Sequence, residues 1–520
     1  MSTRQWITRR PKRAPSAGRA LSAVPQGGQC WSNSASCAAL ATFMGILVVL
    51  LVVTSETLRS ALAISGDEGF EVTKALLWTK GYALYDQVWN NQPPLHTVLL
   101  GLLFKLLGPD IGAARGLALC FGLLLVSGCF TIVRRRWGML AAYVAAASLI
   151  TAPEVLKLSL AAMLEVPAFA VAAWSLAALR SSSLSSRPMT SVLFSACLMA
   201  VALQIKFTAG LIAPAICTEV IALTCREIRP ATLAKACVPC GYWIVTTVAV
   251  FLGLSLLLGG SYEQMVASLF SPRLFEYVNT QETLAFSPSV WFDHPEGIAG
   301  TLLGLTALVL SEEKRSAAFA AVFLATVTGV HLVHRPYWSY YYVHFAIPMA
   351  FLTGFGAAKA SRIVLMNWRD SSLSSQFRFA GALASGSVVL WLLVHDGGRR
   401  AVEEIERIAA LPRATDSQLV LTIRKYQPRT VWAYSRDPVC TFHGGLLLIP
   451  DLAVLPDNRF WSGRINHVQV WETVRRYRPE QILLIEEVDA DTQDFLSTNY
   501  VKIYEDTDHR LYVARALVIE

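Results

Sequence analysis

The chain has 520 residues, 54% of them hydrophobic and only 16% charged, with a mean hydropathy of +0.45. A soluble chain of this size carries about 25% charge, so composition excludes a wholly soluble enzyme, a disordered protein and a fibrous repeat. The net charge of +8 is spread as short basic clusters between apolar runs. That is the positive-inside pattern of a polytopic membrane protein and not a nucleic-acid-binding stripe.

Residues 1–36 carry Arg4, Arg9, Arg10, Lys12, Arg13 and Arg19 among Ser, Ala, Gly and Pro. Such a segment cannot bury enough apolar surface to fold and reads as a disordered basic cytoplasmic tail. The run Cys37 to Val53 approaches the length needed to cross a hydrocarbon core of about 30 Å, and no small-residue cleavage site follows it, so a retained first span is expected. Further apolar runs near 111–133, 138–152, 159–179, 189–205, 208–225, 236–258, 297–310, 316–333, 340–358 and 379–395 bring the expected number of spans to 11.

Leu95 to Leu107 is apolar but short, carries Lys105 and follows Pro93-Pro94. If it does not span, the Lys and Arg residues before 399 divide 20 on the cytoplasmic side against 9 outside. If it spans, every later loop flips and the bias reverses, so the orientation rule favours an interfacial or re-entrant helix on the outer face. The chain then divides into the tail, a transmembrane domain at 37–398 with a first outer loop at 55–110, and an exoplasmic domain at 399–520. Within that last part, Thr430–Tyr434, Gln481–Ile485, Tyr500–Tyr504 and Arg510–Ala514 read as strands and Ile465–Tyr477 as a helix, a small α/β domain. Nine of the ten cysteines precede residue 241, so Cys440 has no partner for a disulfide within that domain.

Chemistry is expected where acids meet the outer membrane face. Asp67 and Glu68 lie in Ser65-Gly66-Asp67-Glu68-Gly69-Phe70. Ser65 to Glu68 is also a capping-box pattern, and both acids suit a helix N-terminus. The next stretch runs Gly81-Tyr82-Ala83-Leu84-Tyr85-Asp86-Gln87-Val88-Trp89-Asn90-Asn91-Gln92-Pro93-Pro94-Leu95. The order of acidic pair, Gly-x-x-x-Tyr, Trp and Pro-Pro-Leu in a first outer loop resembles the membrane-embedded GT-C glycosyltransferases of the protein O-mannosyltransferase and lipid A aminoarabinose transferase type.

That resemblance implies a mostly α, polytopic transmembrane GT-C fold and a polyprenyl-phosphate sugar as donor. It implies Asp67 as general base on an acceptor hydroxyl, with Glu68 orienting or sharing the site. It also implies a second acid near Glu165, where Glu departs from the family's usual Asp, and a donor-phosphate contact at Lys206. Arg335, Tyr341 and Pro348 match the family's Arg to Tyr-Tyr to Pro pattern, so Arg335 joins Lys206 as an expected phosphate ligand. Tyr82, Tyr85, Pro93, Pro94, His334 and Tyr341 are the expected substrate-binding residues.

Each has a plainer reading. Lys206 suits a snorkelling residue, Glu165 a lip carboxylate, and the stretch around Arg335 an aromatic interfacial belt. His331 and His334 lack an acid or Cys beside them to make a zinc site, and Cys237 and Cys240 read as packing residues. No cofactor is assigned, and a divalent cation stays open. The expected partners are the lipid-linked donor, the bilayer and a lipid, glycan or protein acceptor, with localisation in a bacterial inner membrane. The alternative from a different class is a polytopic transporter or flippase, which would show repeated halves and midplane polar residues. A face pairing Trp471, Arg475 and Arg478 on the C-terminal helix is expected to serve either packing or acceptor binding.

Overall fold

The computed structural model describes residues 56–179, 188–225, 230–261, 263–269, 285–370 and 372–518. The tail and the run 37–53 lie outside the described residues. After the first outer segment come α1 (Glu68–Thr79), α2 (Leu95–Leu107), α3 (Ile111–Trp137), α4 (Met139–Ile150), α5 (Pro153–Leu160) and α6 (Glu165–Ala178). They are followed by α7 (Pro188–Ile205), α8 (Ala213–Thr224), α9 (Pro230–Leu258), α10 (Pro295–Leu310), α11 (Ala318–Val333), α12 (Tyr342–Asn367) and α13 (Leu373–Leu392).

Ten of the eleven apolar runs thus fall on helices, and the eleventh is outside the described residues. Five described helical segments are long and apolar enough to cross a membrane, or six if α4 and α5 count as one bent span. The others, such as the 16-residue α10, are only about 24 Å long as straight helices. Lipid is the solvent for the outward faces: α9 exposes Val238, Ile244, Val245, Leu252, Leu256 and Leu257, a row that water would not tolerate on a monomer. This is an integral membrane chain.

Two breaks shape the outer end. The expected span at 138–152 stops at Ile150, and Pro153 at the start of α5 restarts the chain at 72° to α4. The expected span at 159–179 is split between the end of α5 and α6, which starts at Glu165, because Ala161 to Leu164, although apolar, form a non-helical linker. α2 buries His96, Thr97, Leu100 and Phe104 and exposes Leu102, Leu106 and Leu107, the two-faced pattern of a helix lying at an interface.

The helix after α12 does not stop at the expected domain boundary of 398/399. α13 passes through a π-helical turn at Leu393–Gly397 into α14 (Gly398–Ala409). Beyond it lie α15 (Gln418–Tyr426), β1 (Ala433–Ser435), α16 (Pro438–His443), α17 (Asp457–Trp461), α18 (His467–Tyr477), β2 (Gln481–Leu484), α19 (Ala490–Asn499), β3 (Tyr500–Glu505) and β4 (Arg510–Ala514). The sheet order is β1-β2-β4-β3, with β1 and β2 parallel and the other pairs antiparallel.

Side chains alternate across a strand, and here the two faces feed two cores. Ile482, Leu484 and Tyr512 pack with Val470, Trp471 and Leu496 on one side. Leu483, Leu511 and Val513 pack on the other with Leu84, Tyr85, Val88 and Trp89 of the first outer loop. Loop and C-terminal domain are therefore one packed body. α16 seals it against α1 at Gly69, where a Cβ would lie 2.5 Å from Val439 Cγ2 and 2.7 Å from Val439 N. Only a glycine admits that approach.

Candidate functional site

A cavity of about 350 Å³ opens between the start of α1, the start of α6, the break after α7, the segment before α12 and the C-terminal domain. Asp67, Glu165, Lys206, His334 and Tyr341 from the sequence reading all line it.

Asp67 occupies the N-cap position of α1, yet its side chain caps no backbone N–H. The carboxylate instead accepts a 3.5 Å hydrogen bond from the Tyr340 hydroxyl at Oδ2. Burial raises its pKa above the ordinary carboxylate value, Glu165 adds to that, and Lys206 opposes it. Glu165 is fully buried at the first position of α6, and Lys206 donates to its Oε1. Its Oε2 has no partner. The Lys206 ammonium also sits 5.7 Å from the ring centroids of both Tyr340 and Tyr341, an arrangement that stabilises a desolvated cation.

One helical face of α1 carries two more lining residues, Glu71 and Lys74. Lys74 donates to Glu71 Oε1 at 2.8 Å and to Asn90 Oδ1 at 3.1 Å. Burial alone would raise the Glu71 pKa, but Lys74 and His96 outweigh it and hold it at about 2.

Glu68 is not in the cavity. The capping box does not form, since Ile64 N and not Ser65 N donates to Glu68 Oε1, at 2.6 Å. Its oxygens accept from Arg115 Nη2 at 2.6 Å and Nε at 3.0 Å, with both side chains fully buried. Arg115 also donates to the carbonyls of Leu58 and Ala61. Glu68 thus fastens the chain ahead of α1 to α3, a structural task.

Arg335 is half-buried and does not line the cavity, although its neighbours His334 and Pro336 do. Four expected substrate contacts also move elsewhere. Tyr82 packs edge-on against Trp432, with centroids 5.9 Å apart, and Tyr85 is a buried core residue whose hydroxyl donates to Gln92 O at 2.8 Å. Pro94 sits at the N-cap of α2, and neither it nor Pro93 lines the cavity, whereas Asn91 and Gln92 do. His331 bonds His344 at 3.0 Å behind Tyr341 and does not pair with His334 as a metal ligand. The Trp471, Arg475 and Arg478 face also divides: Trp471 is buried against Tyr434, while Arg475 lies over Phe495.

The sequence reading passed over Glu71, Lys74, Trp338 and Tyr340, and over Arg436, Asp457 and Asn458 from the C-terminal domain. Asp67, Glu71 and Lys74 stand at i, i+4 and i+7, a helical-face signal that was available. The C-terminal residues reach the cavity only through the fold. Among the described residues, Asp437, Cys440 and His509 form one group with donor atoms close enough for a metal ion. Asp437 Oδ1 there caps α16 and Oδ2 accepts from His509 Nε2 at 3.1 Å, which accounts for the group as a cap joined to an ion pair.

Residues 91–255 match the family model of the dolichyl-phosphate-mannose-protein mannosyltransferases. No curated protein matches the chain. Among solved structures, ArnT from Cupriavidus metallidurans bound to undecaprenyl phosphate superposes with a TM-score of 0.62 at 16% identity, covering 92% of this chain and 99% of that one. The apo form of the same protein gives 0.59 at 14% identity, with the same coverage of 92% and 99%. The apo oligosaccharyltransferase from Archaeoglobus fulgidus gives 0.51 at 11% identity, covering 85% of this chain and 69% of that one. The chain has the GT-C fold, and in residues 91–255 as in its architecture it resembles the GT-C membrane glycosyltransferases.

Proposed function

We propose that this chain is a membrane glycosyltransferase that moves a sugar from a polyprenyl-phosphate donor to an acceptor hydroxyl at the outer face of the membrane, with Asp67 as general base. The observation that carries this reading is Asp67 itself: a half-buried carboxylate at a helix N-terminus that caps nothing and faces a cavity beside a lysine. A carboxylate pKa raised above its ordinary value makes Asp67 a stronger base toward a hydroxyl proton. The resemblance to dolichyl-phosphate-mannose-protein mannosyltransferases and the undecaprenyl phosphate held by the similar ArnT structure support the donor class.

In this reading the acceptor oxygen attacks the anomeric carbon while its proton passes to Asp67. The bond from that carbon to the phosphate oxygen breaks, and the polyprenyl phosphate leaves with the electron pair. Tyr340 orients Asp67 through its hydroxyl. Lys206, positioned by Glu165, balances charge on the departing phosphate as a compact cation. In this reading the N-terminus is cytoplasmic and the cavity exoplasmic, as the distribution of basic residues supports, and the membrane is a bacterial inner membrane.

The test is incubation of the detergent-purified protein with radiolabelled undecaprenyl-phosphate sugars and a membrane extract. Label is expected in an acceptor fraction and absent with Asp67→Asn. Movement of intact donor across vesicles without transfer of label would favour a flippase and defeat the reading.

A further inference from the structure

We propose that the acceptor is a saccharide, held on a row of three aromatic rings, Tyr340, Trp338 and Trp461, that leads from Asp67 to the C-terminal domain. The inference rests on the glycosyl-transfer reading and names its acceptor class.

The row begins at Tyr340, whose hydroxyl touches Asp67 Oδ2 at 3.5 Å. The Trp338 ring follows at 6.5 Å with its plane within 9° of Tyr340, and Trp461 follows at a further 6.5 Å within 7° of Trp338. All three side chains are half-buried. Tyr340 and Trp338 line the cavity and Trp461 does not, so the row runs from the candidate base outward. The C–H face of a sugar ring carries partial positive charge and is flat, and it packs on the negative face of an aromatic ring. Successive near-parallel rings suit successive sugar units.

Polar groups flank the row where a sugar's hydroxyls would fall. Asp457 and Asn458 share α17 with Trp461 and line the cavity, and Asn458 Oδ1 is buried with no hydrogen-bond partner. Arg436, also on the wall, donates to Glu486 at 2.7 Å and to Asp457 at 3.1 Å. Planar carboxylate, amide and guanidinium groups are the side chains that meet hydroxyls in pairs.

Charge points the same way. Each Lys or Arg lining the cavity already faces a carboxylate: Lys74 with Glu71, Lys206 with Glu165, Arg436 with Glu486. In the outer part, where Arg436 faces both Glu486 and Asp457, the site therefore fits a neutral, hydroxyl-rich ligand better than an anionic one.

The experiment uses the full chain in lipid nanodiscs, probed on an array of bacterial surface glycans and of Ser/Thr-containing peptides, with undecaprenyl phosphate binding read in parallel by native mass spectrometry. Glycan signal is expected. It should fall about tenfold in Trp461→Ala and Trp338→Ala, the loss of one ring contact, and be largely restored in Trp461→Tyr, with unchanged thermal unfolding confirming the fold. Binding of peptides alone, no glycan signal, or glycan signal indifferent to both alanine variants would overturn the proposal. Retained undecaprenyl phosphate with no glycan defeats the acceptor assignment only. Glycan on the aromatic row without undecaprenyl phosphate defeats the donor reading instead.

Discussion

Glu68 and Arg115 lock together through two hydrogen bonds of 2.6 and 3.0 Å with neither side chain exposed, while Asp67, one residue earlier, stands in the cavity. The adjacent acids have opposite surroundings because the helix start turns them to different sides. Breaking a buried pair from one side costs about 3–5 kcal/mol. Arg115→Ala is therefore expected to lower the unfolding midpoint sharply. The double variant Glu68→Ala/Arg115→Ala should lose less than the two single losses added together, as a double-mutant cycle in detergent would read.

Asp67→Asn should insert and fold normally yet lose about 10²–10⁴-fold in transfer rate. The sign of its pH dependence follows from the raised pKa. The wild-type rate should climb with pH through that raised value and then level off. The same shift means the folded state holds its proton more tightly than the unfolded one, so Asp67 weakens the fold as pH rises from the unfolded value through the folded value. The Asn variant is expected to be at least as heat-stable as wild type at pH 7, and a clearly lower midpoint would contradict the assigned environment.

Glu165→Gln should separate binding from turnover. Releasing Lys206 from its carboxylate leaves a full charge for a phosphate, worth about 1.5 kcal/mol as a charge-assisted bond, or roughly tenfold tighter undecaprenyl phosphate binding. Transfer should nevertheless fall, since the ammonium loses the partner that positions it. Native mass spectrometry and a single-turnover assay measure the two effects independently.

The His509 and Asp437 pair gives the C-terminal domain its own pH profile. Asp437 holds His509 above the ordinary imidazole value, and the burial that would raise Asp437 is outweighed by His509. The histidine's contribution is complete below the unfolded imidazole value near 6.5 and disappears as pH rises through the folded one. The aspartate's contribution is present above about 3.9 and lost as pH falls through its depressed value. Hydrogen exchange in α16 should be slowest between those limits, and His509→Gln should flatten the upper limb.

Hydropathy located the helices because lipid demands long apolar faces whatever the tertiary contacts. It missed where α6 begins because Ala161 to Leu164 are apolar without being helical, and apolarity says nothing of backbone dihedral angles. Asp67 was legible as an acid a short distance beyond an expected first span. The fate of Glu68 was not, because its partner Arg115 is 47 residues further on. Tyr82 and Tyr85 looked like ligands for the same reason that they pack well: amphipathic aromatics serve either use, and Trp432, far along the chain, decides for Tyr82.

The two-faced sheet has a consequence for engineering. Because Leu483, Leu511 and Val513 share a core with Leu84, Tyr85 and Trp89, the heritable unit is discontinuous: the first loop and the C-terminal domain travel together. A chimaera that imports a relative's C-terminal domain alone would set foreign side chains against Leu84 and Trp89 and bring Gly69 against an unmatched α16. Grafts that carry both segments should express and insert, whereas single grafts should reach the membrane misfolded and be cleared by proteases.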